Sequence, residues 1–476
     1  MSYKITGLYF PFWFLAFILL IGLTLPILLQ DGMFMDAEQY TCVSHNLSQG
    51  IGSFWFPQFS LKNMYNMSSF HEQPPLVFGL QALFFKVLGD SMYTERFYTF
   101  LTMCLTTYLI NLLWKESCKD ETKKMGWLPI ILWITVPVCF WSYSNNMHEN
   151  TMGFFTLASG LFAFKALRSE KFKLYQFVLS GLFVFLASFS KGMPGLFTLS
   201  MPFIYWLVTQ KISAGKMIAA TVAMVAAPLI LYGFLLMMQD SRESLLMYFK
   251  RLTDRVNDDP TVTSRFHIIG DLFSELLPVL IFLAVVVLIT GIKKAKAVWK
   301  ENDNSIALFF ILTGLAGAIP LMLTMVQRGF YLVPAFPFLS VGIGLIIAPL
   351  LAKPISAINI TGNGFKVFRL ITITAFIFAF VFSILQVGKV SRDKDELHDI
   401  YTIGKIVPKY SAMTVARNTW NEWSLQCYLM RYFNISLDSD VDYKYFLVDT
   451  KIPATAPPGY NKLSVGLIRY ELYEKQ

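Results

Sequence analysis

Apolar and polar positions alternate along this chain in blocks of about twenty residues rather than at the period of a soluble helix or strand. Apolar runs cover 10–30, 92–114, 127–144, 150–166, 174–189, 193–209, 217–237, 271–292, 305–325, 330–351 and 367–388. About 20 consecutive apolar residues cross a bilayer core as an α-helix, so the pattern predicts about eleven membrane spans. The first run is long and lightly charged at its front, which favours a retained span over a cleaved signal. Two stretches break the rhythm. Residues 31–91 are too long for a simple connection, and residues 389–476 gain charge and lose their long apolar runs.

Composition agrees with this pattern. The chain has 476 residues, 55% of them hydrophobic and only 15% charged, with a mean hydropathy of +0.51. These values lie outside the range of a soluble domain. The formal net charge of +9 could point to nucleic acid, but its distribution argues against that. Lys115, Lys119, Lys123 and Lys124, then Lys165, Arg168, Lys171 and Lys173, then Lys211 and Lys216 fall between spans on one face. Lys293, Lys294, Lys296 and Lys300, then Lys353, Lys366 and Arg369 continue the series. By the positive-inside bias this face is cytoplasmic, so the N-terminus is expected inside and the C-terminus outside. The basic surplus then reads as a topology signal and a contact for anionic lipid. Basic residues of the external segment 238–270, Arg251 among them, are matched by nearby acids.

That parity gathers four polar groups on the outer side. Asp36 opens the first external loop. Glu149 lies in Ser144-Asn145-Asn146-Met147-His148-Glu149-Asn150, the turn between the third and fourth spans. Lys191 stands in Ser190-Lys191-Gly192-Met193-Pro194-Gly195, and Arg328 in Gln327-Arg328-Gly329-Phe330-Tyr331. Two carboxylates and two cations at one membrane level suit chemistry on a charged lipid headgroup, with the acids as base or hydroxyl-orienting groups and the cations on a phosphate. The competing reading is ordinary loop charge, because Lys and Arg at span ends often snorkel to the interface.

Within loop 31–91 a helix is expected from Asp36 to Asn46. The aromatic group Phe54, Trp55, Phe56 and Phe59 suits an interfacial segment. Ser69-Phe70-His71-Glu72-Gln73-Pro74-Pro75-Leu76 then leads into an apolar helix from Val77 to Leu88, and the paired prolines make its approach stiff and extended. His45, His71, His148 and Glu72 are metal-ligand types, but no tight ligand spacing joins them. No metal site is assigned, and a divalent cation is left open as a helper. Cys42 and Cys427 are expected outside, Cys104 and Cys139 in spans and Cys118 inside, with no disulfide expected. No Gly-rich nucleotide loop follows a strand.

The order Asp36-Ala37-Glu38-Gln39-Tyr40, then His71-Glu72-Gln73-Pro74-Pro75-Leu76, then Gly89 and Glu95-Arg96, resembles the integral-membrane glycosyltransferases of the GT-C type. The resemblance is strongest to bacterial relatives of protein O-mannosyltransferases, which include the lipid A aminoarabinose transferase. Those enzymes carry an Asp-Glu pair after the first span, a Lys-Pro-Pro-Leu segment, an acidic residue after the third span, a Lys-Gly motif and a basic-Tyr-x-x-Pro segment. These map to Asp36, Gln73-Pro74-Pro75-Leu76, Glu149, Lys191-Gly192, and Arg328 with Tyr331 and Pro334, and the resemblance covers about residues 8–350. Ala37 replaces the second acid, with Glu38 beside it; Gln73 replaces the lysine; Glu149 stands where Asp is usual. The missing lysine shifts phosphate binding onto Lys191 and Arg328.

The resemblance implies a GT-C fold, a polytopic α-helical transmembrane glycosyltransferase domain over 1–388 including loop 31–91; residues 389–476, where charges rise and apolar runs shorten, read as a small external (periplasmic) α/β domain. In that domain strands are expected at Met413–Ala416, Tyr443–Val448 and Leu463–Leu472, a helix at Glu422–Phe433, and a loop at Pro453–Gly459. Trp420 and Trp423 suit sugar contacts but read better as packing. The implied activity is inverting transfer of a sugar from a polyprenyl phosphate to an acceptor at the outer face of the inner membrane. Asp36 would be base or orienting carboxylate, Glu149 would support it or bind sugar, Lys191 and Arg328 would hold the departing phosphate, and Tyr331 would add a hydrogen bond. Glu38, His71, Glu72, Gln73, Pro74 and Pro75 would bind substrate or shape the loop. The acceptor is open among lipid A, another glycolipid, a polysaccharide and a protein. The alternative is a secondary transporter or lipid flippase, which would place its charges in mid-span with repeated halves.

Overall fold

A run of apolar residues with no internal partner for its backbone must close its hydrogen bonds within itself, and helices result wherever such a run occurs. The computed structural model describes residues 2–62, 69–118, 120–258, 260–452 and 456–476. Lys119 and Pro453 fall outside the described residues. The helices are α1 (Ser2–Leu28), α2 (Met35–Ser48), α3 (Leu76–Leu88), α4 (Thr94–Ser117), α5 (Trp127–Ile134), α6 (Pro137–Ser144), α7 (His148–Arg168), α8 (Leu174–Lys191) and α9 (Met201–Thr209). They continue with α10 (Ala214–Met237), α11 (Gln239–Asp258), α12 (His267–Thr290), α13 (Ile292–Glu301), α14 (Ser305–Ala318), α15 (Phe336–Ser356), α16 (Asn363–Ile384), α17 (Lys394–Ile403) and α18 (Trp423–Phe433).

Each of the eleven apolar runs is helical. Among the described residues eight helices are long and apolar enough to cross a membrane, or up to nine with one broken pair. That pair lies in the 127–144 run, which bends by 83°. Pro137 has no N–H to give and holds Val136 extended (φ −66°, ψ 121°), so α5 cannot run on into α6. The new helix start leaves the Val138 N–H free, and the Glu275 carboxylate of α12 accepts it at 2.6 Å. The 193–209 run is also among the shorter apolar helices, and it begins as a 3₁₀ segment at Met193–Ser200 after Gly192.

The two helices expected in the first loop are α2 and α3, within two residues of their expected bounds. After α16 the chain builds a five-stranded sheet from β1 (Ala412–Val415), β2 (Ser436–Asp438), β3 (Tyr445–Asp449), β4 (Tyr460–Lys462) and β5 (Tyr470–Lys475), in the order β2-β1-β3-β5-β4. Of the strand expected over Leu463–Leu472 only residues 470–472 are strand, as the start of β5; residues 463–469 connect β5 to β4, which ends just before the expected start. Gly466 takes a positive φ of 66° between them, a conformation that breaks a pleat. The helix α17 and the short strands β2 and β4 match no element expected from the sequence. Trp420 is buried in the core of this sheet domain, and Trp423 packs where α18 meets α2. Cys42 and Cys427 meet at that same interface as free thiols.

The exit of α1 is tied to this domain. Asp31 pairs with Val390 through its backbone, and its carboxylate accepts the hydroxyls of Tyr401 and Tyr432, each at 2.6 Å. Arg431 of α18 reaches Asp90 at 2.6 Å and the buried Glu95 of α4 at 2.9 Å. The start of α2 is thus held on both sides before its first charged residue appears.

Candidate functional site

Acidic side chains are favoured in the first turn of a helix and basic ones in the last, where they meet the helix dipole. Three of the sequence-derived residues sit in this way: Asp36 in the first turn of α2, Glu149 in the first turn of α7, and Lys191 at the end of α8. Asp36 is half-buried, while Glu149 and Lys191 are buried. The Lys191 Nζ lies 3.1 Å from Glu149 Oε1, donates to the Tyr40 hydroxyl at 2.7 Å, and sits 4.5 Å above the Tyr40 ring. Gln73 Nε2 donates to the same hydroxyl at 3.5 Å, and the Tyr40 ring stacks on His148 at 4.1 Å.

Tyr40, absent from the sequence-derived set, is therefore the centre of the cluster. Burial pushes its phenol well above the usual range, and the charges of Asp36, Glu149, Tyr331 and Glu72 push in the same direction. It remains a neutral hydroxyl that can accept from the lysine. Its position four residues after Asp36 puts both on one face of α2, which was the available signal.

A cavity of about 670 Å³ opens beside this cluster. One part is polar, lined by Glu72, Gln73, Glu149, Lys191, Arg251 and Tyr331; the remainder is apolar, with Met152, Leu196, Phe197, Leu252 and Leu321 among its walls. Arg251 belongs to α11 and contacts Glu72 at 2.9 Å. In the linear sequence it counts only as one of several external charges matched by nearby acids.

Arg328 is placed differently from expectation. Its side chain is exposed and does not line the cavity, although Tyr331 does. Around it the backbone is extended, and the neighbouring Gln327 takes the inward place, accepting from Ile268 N–H at 2.9 Å and donating to the Arg265 and Thr324 carbonyls. Glu38 points away from the cavity. Its buried carboxyl is pushed well up by burial, with Glu396 and Asp393 adding to the effect, so it shapes the contact with the sheet domain. His71 is buried with Nε2 2.8 Å from Ser69 Oγ, and burial pushes it down to about 4. Pro74 and Pro75 are buried at the start of α3. Among the described residues no three His, Cys, Asp or Glu side chains converge on a metal-sized site. His45 lies beside Asp90 at 3.1 Å, while His148 lies on Tyr40.

Gly192 ends α8 directly after Lys191. The glycine has φ +86°, and a Cβ there would stand 1.9 Å from the Tyr248 hydroxyl. Gly192→Ala is expected to turn the Lys191 side chain out of the cluster and lower thermal stability by about 1–3 kcal/mol. A melting curve of the purified variant that overlays the parent would contradict this account.

The region from Glu72 to Met237 matches the family model of dolichyl-phosphate-mannose-protein mannosyltransferases. No curated protein matches the chain significantly. Among solved structures, ArnT from Cupriavidus metallidurans bound to undecaprenyl phosphate is similar with a TM-score of 0.66 at 13% identity, over 97% of each chain. Its apo state gives 0.62 at 12% identity, over 96% of this chain and 95% of that one. The apo Archaeoglobus fulgidus oligosaccharyltransferase gives 0.57 at 12% identity, over 93% of this chain and 70% of that one. At these identities the likeness is one of architecture, and it establishes the fold: a polytopic helical chain with a GT-C fold and a small C-terminal sheet domain.

Proposed function

We propose that this chain is a glycosyltransferase that moves one sugar, with inversion, from a polyprenyl phosphate to an acceptor at the outer face of the inner membrane. The observation that carries the reading is the cavity, in which a charged end with Lys191 and Arg251 continues into an apolar body. A phosphate joined to a polyprenyl chain has this same division. The relative bound to undecaprenyl phosphate and the matched family point the same way.

The acceptor hydroxyl oxygen attacks the anomeric carbon as the bond from that carbon to the phosphate oxygen breaks. The electron pair leaves with the phosphate, facing Lys191 and Arg251, and the hydroxyl proton passes to Asp36. Placing cations where negative charge develops is the larger electrostatic contribution. Glu149 holds the Lys191 ammonium in place, and Tyr331 lines the path of the departing group. Arg251 takes the role the sequence reading gave to Arg328, because it faces the cavity and Arg328 does not.

Titration of the purified protein with undecaprenyl phosphate tests the cavity assignment. Arg251→Ala should weaken binding by about 10- to 150-fold, the value of one charge-assisted contact, whereas Arg328→Ala should stay within about threefold. Absence of saturable binding in the parent, or equal loss in both variants, would overturn the assignment. The face is tested separately. A single cysteine replacing the exposed Arg328 should react with an impermeant thiol reagent added outside intact cells, and one replacing the exposed Lys296 should not.

A further inference from the structure

The side-chain amides of Asn145 and Asn146 are hydrogen-bonded at both ends, and all but the Asn145 Nδ2, which closes the end of its own helix α6, join different elements. Asn146 is 3% exposed and sits three residues before Glu149. Its Nδ2 donates to Thr41 Oγ1 of α2 and to Gln81 Oε1 of α3, both at 2.8 Å. Its Oδ1 accepts from Gln81 Nε2 at 3.0 Å and from Thr99 Oγ1 of α4 at 3.1 Å. The Thr41 hydroxyl in turn donates to the carbonyl of Ala37, the residue after Asp36, at 2.8 Å. Asn145 Oδ1 accepts the Phe34 N–H at 2.9 Å, two residues before Asp36, and its Nδ2 donates to the Trp141 carbonyl at 2.9 Å.

We infer that Asn145 and Asn146 are positioning residues for transfer: they hold the first turn of α2, with Asp36, at a fixed place against the first turn of α7, with Glu149. The inference rests on the proposed transferase reading for what the two carboxylates do. Buried amides reach this state only when all partners are supplied, and here three helices supply them around one side chain. An apolar residue at 146 would fill the space but leave Thr41, Gln81 and Thr99 without their shared partner. Small shifts of a reacting group carry large rate costs, so the hub matters most at the turn that bears the base. Asn146 touches neither the cavity nor any reacting atom, and its effect would pass through the backbone around Asp36.

Two variants and two readouts test this. Asn146→Leu removes the hub, and Thr41→Val removes only the link to α2, so the second remains informative if the first does not fold. Hydrogen exchange in residues 34–41, followed by mass spectrometry, should quicken by about tenfold or more in both, while undecaprenyl phosphate binds as in the parent. Turnover of whichever polyprenyl-phosphate sugar the parent uses should fall by about 10- to 100-fold in kcat with KM for the donor unchanged. The double variant should lose little more than Asn146→Leu alone, because one bond is removed in both. Unchanged exchange in Thr41→Val, or faster exchange with full turnover, would overturn the inference. A parent inactive on every polyprenyl-phosphate sugar would instead sink the transferase reading, and the exchange result would still decide whether the hub holds α2.

Discussion

Asp36→Asn is expected to reduce sugar transfer by roughly 100- to 10,000-fold, the usual cost of losing a general base. The change keeps the size of the side chain and its capacity to hydrogen-bond, and removes the charge and the proton-accepting oxygen. Its setting makes the substitution well tolerated by the fold: Asp36 is half-buried in the first turn of α2. The turn is held by Asn145, by Thr41 and by the Asp31 contacts with Tyr401 and Tyr432. The loss of rate should therefore come with a melting temperature close to that of the parent and unchanged binding of undecaprenyl phosphate. Glu149→Gln separates the two carboxylates, since it should disturb Lys191 and hence binding as well as rate. Near-normal transfer by Asp36→Asn from a purified polyprenyl-phosphate sugar would remove Asp36 from the chemistry.

The membrane architecture was legible because backbone satisfaction in a bilayer leaves an apolar run few alternatives to a helix. All eleven runs are helical, and the departures have local causes, such as the Pro137 bend and the 3₁₀ start after Gly192. The sheet domain was partly legible. β1 and β3 are short runs buried nearly throughout and α18 carries a buried apolar face, whereas β2 is three residues long and too short to stand out. The start of β5 depends on a distant residue: Asp399 of α17 accepts the N–H groups of Ile468, Arg469 and Tyr470.

Residue type and order singled out Asp36, Glu149, Lys191, Glu72, Gln73 and Tyr331; all but Asp36 line one cavity, and Asp36 lies near Tyr40 without lining it. What the linear pattern did not carry was orientation. In the extended stretch before Tyr331, Gln327 faces inward and Arg328 outward, and a motif read as a string gives both the same standing. Arg251 was discounted because acids lie near it in sequence, yet its partner is Glu72, 179 positions away. Asn146 carries no charge and matches no motif, so only its four contacts distinguish it.

Lys191→Ala should have the second large effect, and it should be double. The substitution strands the buried Glu149 carboxylate without its ammonium partner, and breaking one half of a buried ion pair typically costs about 3–5 kcal/mol. It also removes a cation from the polar end of the cavity, so undecaprenyl phosphate should bind about 10- to 150-fold more weakly. The two effects can be parted. Adding Glu149→Gln removes the stranded charge, so the double variant should regain most of the lost stability while binding stays weak. Adding Gln73→Lys instead should recover part of the binding, because Gln73 Nε2 already reaches the Tyr40 hydroxyl that receives the Lys191 Nζ. Melting curves and lipid-phosphate titrations on the parent and these three variants give both quantities from the same preparations. Lys191→Ala binding as tightly as the parent, with no gain from Gln73→Lys, would place the phosphate elsewhere and leave the lysine only as the partner of Glu149.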